Sequence, residues 1–84
     1  MRYRYQKTIE NVTFIYRVKK RNAAYDLVII EILGKKRRRF TLKKIAASRN
    51  DAQRVARFFC ENAVSPEHAE DIFSEYFGFL AISR

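Results

Sequence analysis

The chain has 84 residues, 48% of them hydrophobic, which suits one domain with one small core and is too apolar for a disordered segment. A lone cysteine, Cys60, excludes an internal disulfide framework, and no run approaches the roughly 20 apolar residues of a membrane span. The formal charge of +9 points towards an anionic partner.

That charge is unevenly placed. Residues 1–49 carry 15 Lys or Arg against 3 Asp or Glu, whereas residues 50–84 carry 3 against 6. The start of the chain, Met1-Arg2-Tyr3-Arg4-Tyr5, lacks the apolar stretch of a signal peptide. With the unpaired cysteine, this sets the expectation of a cytoplasmic protein.

Tyr3 to Ile9 and Val12 to Lys19 alternate and are rich in β-branched and aromatic residues, so they are predicted to be two strands joined at Glu10-Asn11. In that register Tyr5 faces Tyr16 and Ile9 faces Val12, with Lys7 breaking the apolar side opposite Phe14. The other side collects Arg2, Arg4, Gln6, Thr8, Thr13, Ile15, Arg17 and Lys19. Lys20 to Ala24 is expected to be a polar loop. Tyr25 to Leu33 is apolar on both faces, as in a central strand. Gly34-Lys35 then suits a hairpin turn that pairs Leu27 with Leu42, Ile29 with Phe40 and Glu31 with Arg38. The opposite charges of the last pair support that register. On the reverse face Ile30 meets Arg39 and Ile32 meets Arg37.

Ser48 followed by Asp51 has the spacing of a capping box, and Ala52, Val55, Ala56, Phe59 and Ala63 mark an amphipathic helix to about Asn62. Ser65-Pro66 begins a second helix, with Ser65 as N-cap and Pro66 in the first position. Ala69, Ile72, Phe73, Tyr76, Phe77 and Leu80 form its inner stripe, and Glu67, Glu70, Asp71 and Glu75 its outer face. The expected fold is therefore α+β: one domain, 1–84, with a four-stranded antiparallel meander over 1–45 and a two-helix layer over 48–80. Both helices cover the sheet face that bears the tyrosines and phenylalanines.

Ile45, Ser48, Asp51, Val55, Phe58, Val64-Ser65-Pro66-Glu67-His68, Asp71-Ile72 and Glu75-Tyr76-Phe77 form a sparse pattern. It resembles that of a family of short bacterial proteins known only as a domain of unknown function. The resemblance covers about half the chain and implies a compact cytoplasmic α+β domain. It names no site, and the basic run Lys35 to Arg39 is not part of it.

Function is therefore sought in the residues themselves. Arg2, Arg4, Arg17, Lys19, Arg37 and Arg39 are expected on the helix-free side of the sheet, with Lys35, Lys36 and Arg38 at the hairpin tip. Together they could bind the phosphates of a nucleic acid or another polyanion. The plainer reading is that charged strands resist aggregation. Arg4 opposite Arg17 is unfavourable without an anion nearby, which favours binding. The same side carries Ile15, Val28, Ile30 and Ile32, an apolar strip that suits a protein interface. An acidic protein fits that rim better than a homodimer, though a homodimer is the other arrangement it would allow. Lone His68 and Cys60 have no ligand spacing, and no phosphate-cradling glycine loop exists. No catalytic residue, metal, cofactor or membrane partner is expected.

Overall fold

The computed structural model describes residues 3–80. Four strands, β1 (Tyr3–Ile9), β2 (Val12–Arg21), β3 (Ala24–Leu33) and β4 (Lys36–Ala46), form one antiparallel sheet in the order β1-β2-β3-β4. Two helices follow, α1 (Arg49–Glu61) and α2 (Ala69–Phe77). The expected α+β meander is thus the observed fold, and its registers are the expected ones. Tyr5 pairs with Tyr16, Ile29 with Phe40 and Glu31 with Arg38.

Each hairpin turns through a residue at positive φ in the first central position: Glu10 (56°), Asn22 (56°) and Gly34 (61°). Gly34 takes that conformation without steric cost, and asparagine tolerates it better than most side chains. The predicted loop over 20–24 is consequently shorter in fact. Arg21 pairs with Ala24, so Asn22-Ala23 alone makes the turn.

One side of the sheet carries the core. Tyr16, Leu27, Ile29, Leu42 and Ile45 pack there with Val55 and Phe59 of α1 and Phe73 and Phe77 of α2. Helix α1 starts as expected: the Ser48 hydroxyl accepts a hydrogen bond from the Asp51 backbone N–H at 3.2 Å. Lys7, which interrupts the apolar pattern of β1, donates from Nζ to the carbonyl of Glu61 at 3.0 Å. It thereby satisfies a carbonyl in the last turn of a helix that has no basic residue of its own there. The Tyr16 hydroxyl, at the centre of the core, donates to the Val64 carbonyl at 2.7 Å and ties β2 to the connection between the helices.

The second helix departs from its expected form. Pro66–His68 is a 3-10 turn, closed by a bond from the His68 N–H to the Ser65 carbonyl, and the Ser65 side chain makes no capping bond. The α-helix proper is only Ala69–Phe77, and Gly78–Leu80 tightens again to 3-10 geometry. The inward stripe of α2 is narrower than expected. Ala69, Phe73 and Phe77 are buried, but Tyr76, expected on the inner stripe, is 51% exposed and rests its ring, tilted, against that of Phe58.

Candidate nucleic-acid interface

The helix-free side of the sheet is defined by strand parity, since side chains two residues apart share a face. Arg4 and Gln6 of β1, Thr13, Ile15, Arg17 and Lys19 of β2, Asp26, Val28, Ile30 and Ile32 of β3, and Arg37, Arg39 and Thr41 of β4 lie on it in register. Of the expected polyanion residues, the structure brings Arg4, Arg17, Lys19, Arg37 and Arg39 together on this side, all exposed. Arg2 lies outside the described residues. Lys35 sits in the turn, and Lys36 has the opposite parity.

Arg38 also lies on the other face. Its Nε donates to Glu31 Oε1 at 2.6 Å, and its terminal amino group reaches Glu67 Oε1 at 3.2 Å. The two carboxylates, Glu31 first, hold the guanidinium above its usual pKa. Arg38 thus pins the β3–β4 hairpin to the 3-10 turn before α2, and it stands apart from the open basic face.

The five open-face cations contrast with it. Among the described residues, none of Arg4, Arg17, Lys19, Arg37 or Arg39 takes part in an ion pair. Among the described residues the only carboxylate on their side is Asp26, which is 3% exposed and already paired through Oδ2 with Arg21 Nε at 3.1 Å. Arg4 faces Arg17 directly across β1 and β2. The positive charge of this face is uncompensated, and two like charges are held side by side.

The apolar strip is placed differently from the expectation. Ile15, Val28 and Ile30 are buried, at 8%, 3% and 5% exposure, and only Ile32 is partly open. These residues form a second, small cluster that no helix residue joins. Arg17 is in register with Val28, Arg39 with Ile30 and Arg37 with Ile32. Long basic side chains lay their methylene stems over such neighbours while the charged heads stay in water. The strip expected to be open is thus mostly buried, with no helix residue in its cluster.

Aromatic rings are absent from this side among the described side chains: Phe14 and Tyr16 belong to the helix-covered core, and Tyr5 and Phe40 pack against it. A surface that stacks unpaired bases needs them exposed. Among the described residues there is also no cluster of three potential metal ligands, and no helix is long and apolar enough to cross a membrane. Cys60 has its thiol pKa raised, chiefly by burial, which lowers its reactivity.

Compared with protein-family models, with curated proteins and with solved structures, the chain matches none. What the surface can do must be argued from its geometry.

One feature has no clear signal in the sequence. β4 carries two extra residues relative to β3, because Leu27 pairs with Leu42 but Tyr25 pairs with Ala46. Within this bulge Lys44 has φ 55°, and its N–H donates to Asp26 Oδ1 at 2.9 Å. The buried carboxylate therefore holds both Arg21 and the Lys44 backbone. Beside it lies an open cleft of about 960 Å³ whose lining includes Arg21, Lys43 and Lys44, Phe40 and Leu42, and Glu70 of α2. Asp26, an acid near the start of a largely apolar strand, was the only hint.

Proposed function

We propose that this protein is a small, non-enzymatic cytoplasmic module whose helix-free sheet face binds nucleic acid through the phosphate backbone. The observation that carries the reading is the set of five exposed cations, Arg4, Arg17, Lys19, Arg37 and Arg39, which among the described residues are in no ion pair and share their face with one carboxylate, buried and already engaged. Phosphates would relieve the repulsion between Arg4 and Arg17 and would meet guanidinium forks suited to their geometry. With no exposed aromatic on this side, contacts to bases contribute little, so binding is weakly sequence-dependent and duplex binds at least as well as single strand.

Fluorescence anisotropy with labelled duplex and single-stranded DNA tests the reading. If all five cations engage, log K falls against log salt with a slope of about −4. The double charge reversal Arg37→Glu with Arg39→Glu is expected to abolish binding. Absence of binding at low salt overturns the proposal, and an affinity unchanged by the double reversal moves it to another surface.

A further inference from the structure

We infer that the cleft at the edge of β4 is a second site, one that takes a single nucleotide unit with its phosphate at Arg21, Lys43 and Lys44 and its ring against Phe40. The choice of a nucleotide over other flat anions rests on the reading of the sheet face; the site itself does not.

Its chemistry is divided as such a ligand requires. One rim is cationic, and neither Lys43 nor Lys44 is in an ion pair among the described residues. The wall is apolar and partly aromatic, formed by Phe40 and Leu42. Glu70 of α2 also lines the cleft. A volume of about 960 Å³ greatly exceeds a lone phosphate and lies in the range of small-molecule sites.

The rim is also held in place. Asp26 is 3% exposed and fixes the β2–β3 turn through Arg21 and the β4 bulge through the Lys44 N–H. Lys44 adopts a left-handed backbone, uncommon for a lysine, where its N–H donates that bond. Arg21 keeps its side chain 45% exposed while paired, so its fork remains open to a second anion. A buried acid that holds the Arg21 guanidinium and the Lys44 backbone beside a cleft is a positioning residue, and the arrangement exists before any ligand arrives.

The test is a titration of the full chain by amide-resolved NMR, with adenosine 5′-monophosphate, adenosine and inorganic phosphate as separate probes. The monophosphate is expected to give saturable shifts in residues 21–24 and 40–44, with adenosine or phosphate alone binding about tenfold more weakly. The exposed pair Lys43→Gln with Lys44→Gln should weaken the monophosphate about tenfold and leave the rest of the spectrum in place. Arg37→Glu with Arg39→Glu should leave it bound, whatever that variant does to DNA. No saturation at 21–24 and 40–44, or shifts confined to Arg17, Arg37 and Arg39, overturns the inference even if DNA binds the sheet. Saturation there without DNA binding supports the cleft and overturns the sheet reading. Competition by 5′-phosphorylated against 5′-hydroxyl oligonucleotide then assigns the source. Preference for the phosphorylated end means a chain terminus, and no difference means a free nucleotide.

Discussion

The two faces of this sheet use the same residue types to opposite ends. On the helix-covered face, two cations are engaged within the fold. Lys7 satisfies a carbonyl at the end of α1, and Arg38 bridges Glu31 and Glu67. On the open face Arg4, Arg17, Lys19, Arg37 and Arg39 have no carboxylate to meet. The apolar residues differ as well. Tyr16, Leu27, Ile29 and Phe59 are sealed by helices, whereas Ile15, Val28 and Ile30 lie under neighbouring side chains. A high net charge therefore does not make a site; the face on which strand parity places each charge does.

The largest effects should come from breaking the sealed side. Phe59→Ala removes a fully buried ring that meets Tyr16 edge-on. Its expected cost is about 3–5 kcal/mol, enough to unfold much of a domain this small. Ile30→Ala on the open side should cost only about 2 kcal/mol, at the low end for such a change, because flexible arginine stems can settle into the space. Denaturant melts of the two variants measure both. Equal losses would mean that the arginine layer is packed as rigidly as the helices.

A smaller effect separates the faces through pH. The Tyr16 phenol has its pKa raised far above its ordinary value of 10.0, first by burial and then by Cys60 and Glu31. In the native state it stays protonated and donates to Val64, whereas in the unfolded chain it ionises at its ordinary value. The stability tied to this group is therefore full below about pH 10 and is lost as pH rises towards the folded-state value. Tyr16→Phe should cost about 1–2 kcal/mol at neutral pH, since the buried Val64 carbonyl loses its donor. It should also flatten the alkaline decline seen in urea melts between about pH 9 and 11. A parallel decline in the variant would place its origin elsewhere.

Much of this architecture was legible in the residues. Alternation fixed which side chains share a face, and the Glu31–Arg38 pair set the register of the β3–β4 hairpin. Features that depend on distant groups were not legible. The β4 bulge is held by Asp26, 18 residues away from Lys44. The turn at Asn22-Ala23 has no glycine to announce it, and only asparagine's tolerance of positive φ permits it. Ser65-Pro66 reads as a regular helix start, yet the chain closes a 3-10 turn there, with Glu67 reaching back to Arg38. Periodicity over 69–80 groups Tyr76 with Ala69, Ile72 and Phe73, but the buried row is the narrower Ala69, Phe73 and Phe77, and Tyr76 lies beside it. For the candidate interface, parity put Arg4, Arg17, Lys19, Arg37 and Arg39 on the open face, while Arg2 lies outside the described residues. The burial of Ile15, Val28 and Ile30 depended on side-chain cover, which strand alternation does not encode.

The smallest perturbation tests the contrast between the faces most directly. Arg38 and Arg39 are adjacent in sequence, carry the same charge and project from opposite sides of β4. Neutralising either lowers the net charge equally, so any sensitivity to overall charge alone moves both variants together. If phosphates meet the open face, Arg39→Gln loses a direct contact: it should weaken DNA binding severalfold and reduce the salt slope by about 1. Arg38→Gln should leave affinity and slope near those of the parent, and its melting point should fall little, because its ion pairs are solvent-exposed and screened. Equal weakening by the two variants would show that DNA responds to the hairpin tip as a whole, and the comparison of faces would lose its functional meaning.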